Sequence, residues 1–266
     1  MKGMPLGKKV PVPRGHDPGV LYPIPRKPHG TAMHGYDLWR SYELSWLNDR
    51  GRPHAGILEV IYPAQSQNIV ESKSLKLYLG GLSFVRFGTV SEVEEVIRTD
   101  LARILAPEWI LVGITEPEQF SRMTCRAHPD GDSLDDLDIP IDTYGRDPGL
   151  LSCGQEISAE ILSSDLLRTN CPITGQPDWA SVVIHYQGNK IDRGALLRYL
   201  CSYRDHEGFA EEVCELIFTD IMERCSPDML SIRCCYTRRG GIDISPFRSS
   251  QPVAAGEIDR SRLVRQ

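Results

Sequence analysis

Residues 92–110 read EVEEVIRTDLARILAPEWI, and residues 212–230 read EVCELIFTDIMERCSPDML. At an offset of 120 residues the two stretches share Val93/Val213, Thr99/Thr219, Asp100/Asp220 and Pro107/Pro227. A second pair of blocks, 71–79 (ESKSLKLYL) and 192–200 (DRGALLRYL), aligns at an offset of 121 and shares Leu75/Leu196, Tyr78/Tyr199 and Leu79/Leu200. Two blocks at nearly constant offset mark an internal duplication. In the later copy Val213, Leu216, Ile217 and Ile221 recur at helical spacing, and Pro107 and Pro227 close the two long helices.

Strand patterns flank these helices. Residues 56–62 and 181–186 precede them, and 109–114 and 230–236 follow. Gln187-Gly188-Asn189 has the composition of a hairpin turn. Each half therefore reads strand-strand-helix-helix-strand-strand, an α+β unit with an antiparallel sheet and its helices on one face. The expected organisation is an irregular arm over 1–34, a first unit over 35–124, a linker over 125–161 and a second unit over 162–266.

The bulk properties narrow the function. The chain has 266 residues, is 41% hydrophobic, and carries a net charge of −6. An acidic balance speaks against direct binding to a nucleic-acid backbone. No apolar run approaches the length of a membrane span, and the proline-rich start has no secretory core segment. The eight cysteines follow no small-scaffold spacing, so reduced thiols and a cytoplasmic location are expected. The acidic run 130–138 lacks the sixth-position Gly and twelfth-position Glu of a calcium loop. It reads as a solvated connector, and no metal site is expected.

One stretch carries the chemistry. Residues 166–179 place Cys171 between Asn170 and Pro172, with Asp178 seven residues on. Pro172 and Pro177 forbid a continuous helix, so the segment is a bent loop that can fold Asp178 back toward the thiol. Cys171 is then either a nucleophile with a proton donor or a small buried residue. Glu71 and Glu211 each suit two hydrogen bonds from a guanine-like N–H/NH₂ edge, although charge at a helix N-terminus is the simpler account of each. Tyr236-Thr237-Arg238-Arg239-Gly240-Gly241 is either a phosphate-approaching turn or a surface turn, and Lys73 and Lys76 can add positive charge. No Gly-x-Gly-x-x-Gly follows a strand, so a dinucleotide would not be held by a Rossmann unit.

Taken with residues 35–39 (GYDLW), 42–47 (YELSWL), 71–78 (ESKSLKLY), the 170–179 loop, 236–241 and the ending RLVRQ, the chain resembles long-form NADPH-dependent 7-cyano-7-deazaguanine reductases, nitrile reductases of queuosine biosynthesis in the tRNA modification pathway. The resemblance runs over nearly the whole chain. It implies tandem tunnelling-fold (T-fold) units and a homodimer with sites between units. It implies Cys171 as the nucleophile that forms the thioimide, and Asp178 as the proton donor, with a raised pKa, for instance by burial beside Trp179. Val70, Glu71, Ser72, residue 210 and Glu211 would bind the base, and Ser72, Lys73, Arg239 and Gly240 would contact NADPH. One position departs: the family has Phe-His-Glu where this chain has Phe209-Ala210-Glu211. Water or His206 could fill the missing imidazole's role, turnover could be impaired in a chain that still binds the nitrile base, or Ala210 could be an engineered replacement.

Overall fold

The computed structural model describes residues 11–27 and 30–266; residues 1–10 and 28–29, part of the expected 1–34 arm, lie outside them. The chain divides into two compact units, each with its own apolar core.

Unit 1 holds residues 11–26, Asp37–Met123 and Arg238–Ile244. Its elements are β1 (Pro23–Pro25), β2 (His34–Leu47, with 37–47 in this unit), β3 (Pro53–Pro63), β4 (Asn68–Val70), α1 (Ser72–Leu82), α2 (Val90–Leu105) and β5 (Leu111–Thr115). β3 lies between β2 and β5 and runs antiparallel to β5, with Ile57 opposite Thr115 and Ile61 opposite Leu111. Alternation along β3 buries Leu58, Val60 and Tyr62. They cluster with Leu75, Tyr78 and Leu79 of α1 and with Val93, Ile97, Leu101 and Leu105 of α2. Those four α2 residues recur every fourth position, which is one helix face. The Thr89 hydroxyl caps the start of α2 by accepting from the Glu92 N–H. Ala106, left-handed at φ 46°, ends it one residue before Pro107.

Unit 2 holds Lys27, residues 30–36, Thr124–Thr237 and Ser245–Gln266. Its elements are β6 (Cys125–Arg126), β7 (Asp132–Ser133), β8 (Cys153–Asn170), β9 (Pro177–Ile191), α3 (Arg193–Cys201), α4 (Ala210–Cys225), β10 (Met229–Tyr236), β11 (Ile242–Ser249, with 245–249 in this unit) and β12 (Arg262–Leu263). β9 pairs antiparallel with both β8 and β10, and β10 with β11. The two-residue pairs β7–β8 and β6–β12 are parallel. Ala180, Val182, Ile184 and Tyr186 of β9 meet Leu196, Tyr199 and Leu200 of α3 and Val213, Ile217 and Ile221 of α4 in the core. The protein is thus mixed α+β with predominantly antiparallel sheet. No helix among the described residues is long and apolar enough to cross a membrane.

The structure differs from the sequence reading at three places. Gln187-Gly188-Asn189 is not a turn: β9 runs straight through it to Ile191. Gly188 instead permits close packing, because a Cβ there would lie 2.9 Å from Pro227 Cα, and its φ of 148° suits glycine. Residues 125–161 are not a free linker. The long β8 begins at Cys153, Leu134 is fully buried, and Asp135 accepts from Ser164 Oγ (2.5 Å) and the Asp165 N–H (2.7 Å). The acidic run is therefore stitched to β8. Finally, Arg238–Ile244 groups with unit 1 rather than ending the second unit, because the turn after β10 brings it beside β2, where the Tyr42 N–H donates to Gly241 O at 2.9 Å.

The repeated residues make matching bonds. Tyr78 donates to Asp100 at 2.7 Å in unit 1, and Tyr199 donates to Asp220 at 2.5 Å in unit 2. Burial and the paired carboxylate push both phenols well up. Each carboxylate takes a further partner from a short Asp-Pro-Gly turn segment: His16 Nε2 at 2.6 Å for Asp100, and the Arg146 guanidinium for Asp220. Asp17 and Asp147 then cap the single turns Pro18–Val20 and Pro148–Leu150 through the Gly19 and Gly149 N–H groups. These two segments extend the correspondence beyond the helical blocks.

Candidate active site

Cys171 follows the last residue of β8 and is 3% exposed. Its loop closes on itself: the Cys171 N–H donates to Gln176 O (2.8 Å), and the Gly175 N–H donates to Cys171 O (2.9 Å). Gly175, at φ 65°, makes the left-handed corner. Both backbone groups of the cysteine are therefore fixed. The chain re-enters the sheet with Pro177 opposite Asn170 and Asp178 opposite Thr169. Directly opposed residues project from the same face, so Asp178 shares the face of Thr169, two residues before the thiol. Tyr236 of β10 stands opposite Ala180 and so lies on that face as well. Burial, Cys234 and, more weakly, the Asp178 charge push the Tyr236 phenol well up.

Trp179 does not cover Asp178. Alternation sends it to the other face, where it is 37% exposed between the guanidinium groups of Arg168 (5.8 Å) and Arg204 (5.7 Å). The half-buried surroundings of Asp178 come from the Thr169–Tyr236 side of the hairpin.

The approach to α4 is tied to the same strand end. The Asn170 N–H donates to His206 O (2.8 Å), and the Gly208 N–H donates to Asn170 O (3.1 Å). Two residues further on, Ala210 opens α4, and Glu211 in its first turn is 2% exposed. Unit 2 thereby holds Cys171, Asp178 and Glu211 on one connected patch of backbone. His206 packs edge-on against Tyr203, and its Nε2 is buried with no hydrogen bond. Burial, with Arg146 nearby, holds its imidazole below the usual range, so it is neutral near pH 7.

Unit 1 holds the remaining candidates. Val70 ends β4, and Glu71 is the N-cap of α1. The Glu71 carboxylate accepts from the Lys73 N–H (2.7 Å) and the Ser74 N–H (2.9 Å) and is 1% exposed. Burial raises its pKa against those bonds. The helix-cap account of Glu71 is therefore realised, and each oxygen keeps lone-pair capacity for one more donor. Because Glu71 already takes these N–H groups, the N-terminus of α1 is not a ready phosphate cradle. Positive charge comes instead from side chains. Lys76, one turn beyond Ser72 and Lys73, bonds Glu43 (2.7 Å) and Gly240 O (2.6 Å). That bond sets α1 beside the tight turn at Arg239-Gly240-Gly241-Ile242, where the Arg239 N–H donates to Ile242 O at 2.9 Å. Gly240 and Gly241 have φ of 63° and 80°, and a Cβ on Gly241 would meet the Glu43 carboxyl carbon at 2.5 Å. Arg238 stacks on Tyr42 at 3.8 Å. Ser72 and the cations Lys73, Lys76, Arg238 and Arg239 thus share one unit, and the four cations are the groups there that could meet a phosphate-bearing cofactor.

Sequence reasoning missed Thr169 and Tyr236 as neighbours of Asp178, and Lys76 as the link between α1 and the Gly-Gly turn. Only strand register reveals the first pair.

Residues 12–110 match the family described as "Nitrile reductase, 7-cyano-7-deazaguanine-reductase N-term", and residues 177–254 match "QueF-like protein". Over 274 residues the chain is 44% identical to the NADPH-dependent 7-cyano-7-deazaguanine reductase of Desulfotalea psychrophila, covering 99% of this chain and 98% of the relative. The chain belongs to the 7-cyano-7-deazaguanine reductase family. Members of the same name from Coxiella burnetii (44% over 270 residues, 96% of this chain and 95% of the relative) and Burkholderia multivorans (43% over 274 residues, 98% of each) are similar over the same span. Both units therefore fall inside the 7-cyano-7-deazaguanine reductase similarity.

Proposed function

We propose that this protein is an NADPH-dependent oxidoreductase that reduces the nitrile of 7-cyano-7-deazaguanine to the aminomethyl group of 7-aminomethyl-7-deazaguanine, using two NADPH. The observation that carries this reading is full-length similarity to reductases of that name, joined to a buried cysteine pinned across a hairpin from an aspartate. The two units are tandem T-fold units, the assembly is a homodimer, and the compartment is the cytoplasm, in keeping with eight unbridged cysteines.

The residues divide the work. Glu71, with Val70 and Ser72, and Glu211 accept the amide-like and amino N–H groups of the base. The Cys171 sulfur attacks the nitrile carbon, and the carbon–nitrogen triple bond becomes the double bond of a thioimidate. Asp178 delivers the proton to the nitrogen as it gains charge. Bound NADPH would supply the hydride for each of the two reductions of the carbon. After the first, the carbon–sulfur bond breaks, the Cys171 thiolate leaves, and an imine remains. The second reduction and a proton on nitrogen complete the amine. Burial of Cys171 and Glu211 keeps water from the hydrolysable imine. Ser72, Lys73, Arg239 and Gly240 would hold the cofactor.

Mixing the protein with 7-cyano-7-deazaguanine and NADPH tests the reading. Two NADPH oxidised per base is the expected stoichiometry; no base-dependent oxidation would overturn it. Arg239→Leu is expected to raise the KM for NADPH roughly tenfold or more, through loss of a charge-assisted contact, and to leave base affinity unchanged. An equal loss for both ligands would contradict the cofactor assignment.

Ala210 favours a second element of this reading: covalent capture intact, turnover slowed. Its methyl group packs on the unit 2 core and offers no hydrogen bond at the start of α4. Ala210→His is expected to raise kcat about tenfold to a hundredfold without changing the yield of adduct on Cys171. Unchanged turnover would show that the imidazole is dispensable here.

A further inference from the structure

The segment 16–22 ties α2 to the turn that carries Glu71. At its upstream end His16 Nε2 meets Asp100 Oδ2 at 2.6 Å, and the same oxygen accepts from Tyr78 of α1 at 2.7 Å. At its downstream end the Glu71 N–H donates to Tyr22 O at 2.9 Å. The Tyr22 N–H donates to Ser74 Oγ at 3.0 Å, and Ser74 Oγ donates to Glu71 O at 2.6 Å. Tyr22, Ser74 and Glu71 therefore close a ring of three hydrogen bonds around the first turn of α1. β1 follows at once and pairs with β4, placing Pro23 opposite Val70. Between the two ends stands the Pro18–Val20 turn, held by Asp17. The segment is short, stiffened by proline, and bonded at both ends.

Unit 2 contains the same strut with a different end. The Asp192 N–H, at the N-cap of α3, donates to Ser152 O at 3.0 Å, and Arg146 holds Asp220 through two of its nitrogens. Where unit 2 uses a permanent cation with two bonds, unit 1 uses one imidazole bond, and that imidazole is 38% exposed. The strut that ends in a single bond is the one that leads to Glu71.

We propose that His16 is a positioning residue for Glu71: its bond to Asp100 holds the segment 16–22 in place, and that segment fixes Val70 and Glu71 for the base. The proposal rests on the reading of Glu71 as a base-binding carboxylate. Losing the tie frees the Tyr22 end of the ring, so the first turn of α1, with the Glu71 carboxylate bonded to it, is presented in more than one position and part of the binding is spent on ordering it. His16 does not touch the reacting atoms, so the cost falls on base affinity and not on the chemical step.

The test titrates 7-cyano-7-deazaguanine calorimetrically into the full chain carrying Cys171→Ala, so that only noncovalent binding is read. Adding His16→Ala is expected to raise Kd roughly tenfold, as for a lost hydrogen bond to a charged group. Adding His16→Arg, which copies the unit 2 arrangement, is expected to restore Kd to within about twofold. With Cys171 intact, His16→Ala is expected to raise KM for the base and leave kcat unchanged. A His16→Ala Kd within twofold of the parent, while Glu71→Gln weakens binding strongly, overturns the strut and leaves the Glu71 reading standing. A weakened His16→Ala that His16→Arg does not rescue also overturns it, since packing would then be the cause. If Glu71→Gln itself leaves Kd unchanged, the reading of Glu71 fails and the inference falls with it.

Discussion

Cys171→Ala is expected to abolish turnover, with a loss on the order of 10⁴-fold or more, as when an enzyme's nucleophile is removed. A nitrile carbon accepts hydride poorly, and the thioimidate is what makes it a competent acceptor. No neighbouring group replaces the sulfur: the residues flanking it in the loop are Asn170 and Pro172. The substitution is also a fair test of chemistry against folding. Cys171 is held by its backbone, through Gln176 O and the Gly175 N–H, and alanine keeps both bonds. Removing one buried sulfur costs about 1 kcal/mol of packing. An unfolding midpoint within a few degrees of the parent, beside lost NADPH oxidation, is the predicted pair of results. Residual turnover above about one per cent would contradict nucleophilic catalysis.

Asp178→Asn is the second large effect, with an expected fall of roughly 10²–10⁴-fold in kcat, the usual contribution of a positioned general acid. The amide has the shape of the carboxyl group and keeps the place opposite Thr169, so base binding is expected to survive. What it lacks is an acidic proton for the nitrile nitrogen. The thioimidate then forms slowly, because negative charge on nitrogen goes unrelieved. Pre-steady-state adduct formation, followed by quenching and intact mass, isolates this step. Near-normal rates in the variant would assign the proton to another group, with Tyr236 on the same face as the first to examine.

Much of the architecture was legible because helices write their burial into a repeating pattern. Val213, Leu216, Ile217 and Ile221 announce α4, and the duplicated Tyr and Asp fall on a bonded pair in each unit. The Cys171 hairpin was legible for a local reason, since its two prolines exclude a helix and leave a bend. Long-range pairing was not legible. Gly188 looked like a turn residue because composition does not report that Pro227 presses against it. Arg238–Ile244 was assigned to the wrong unit because β11 continues across the boundary, and no local signal marks that change. The two Asp-Pro-Gly segments escaped the repeat alignment because they are short and sit at a different offset. At the site, residue types suggested Cys171 and Asp178, and the family resemblance added Glu71 and Glu211 as base ligands. Their surroundings needed register, which moved the half-buried side of Asp178 from Trp179 to Thr169 and Tyr236.

The most direct test of the central claim is intact-protein mass after incubation with 7-cyano-7-deazaguanine alone, then again after NADPH is added. The account predicts a gain of one base per chain, mapped to the peptide containing Cys171, and its disappearance as the amine is released. An unmodified mass under saturating base, or a modification on any cysteine other than Cys171, would contradict it.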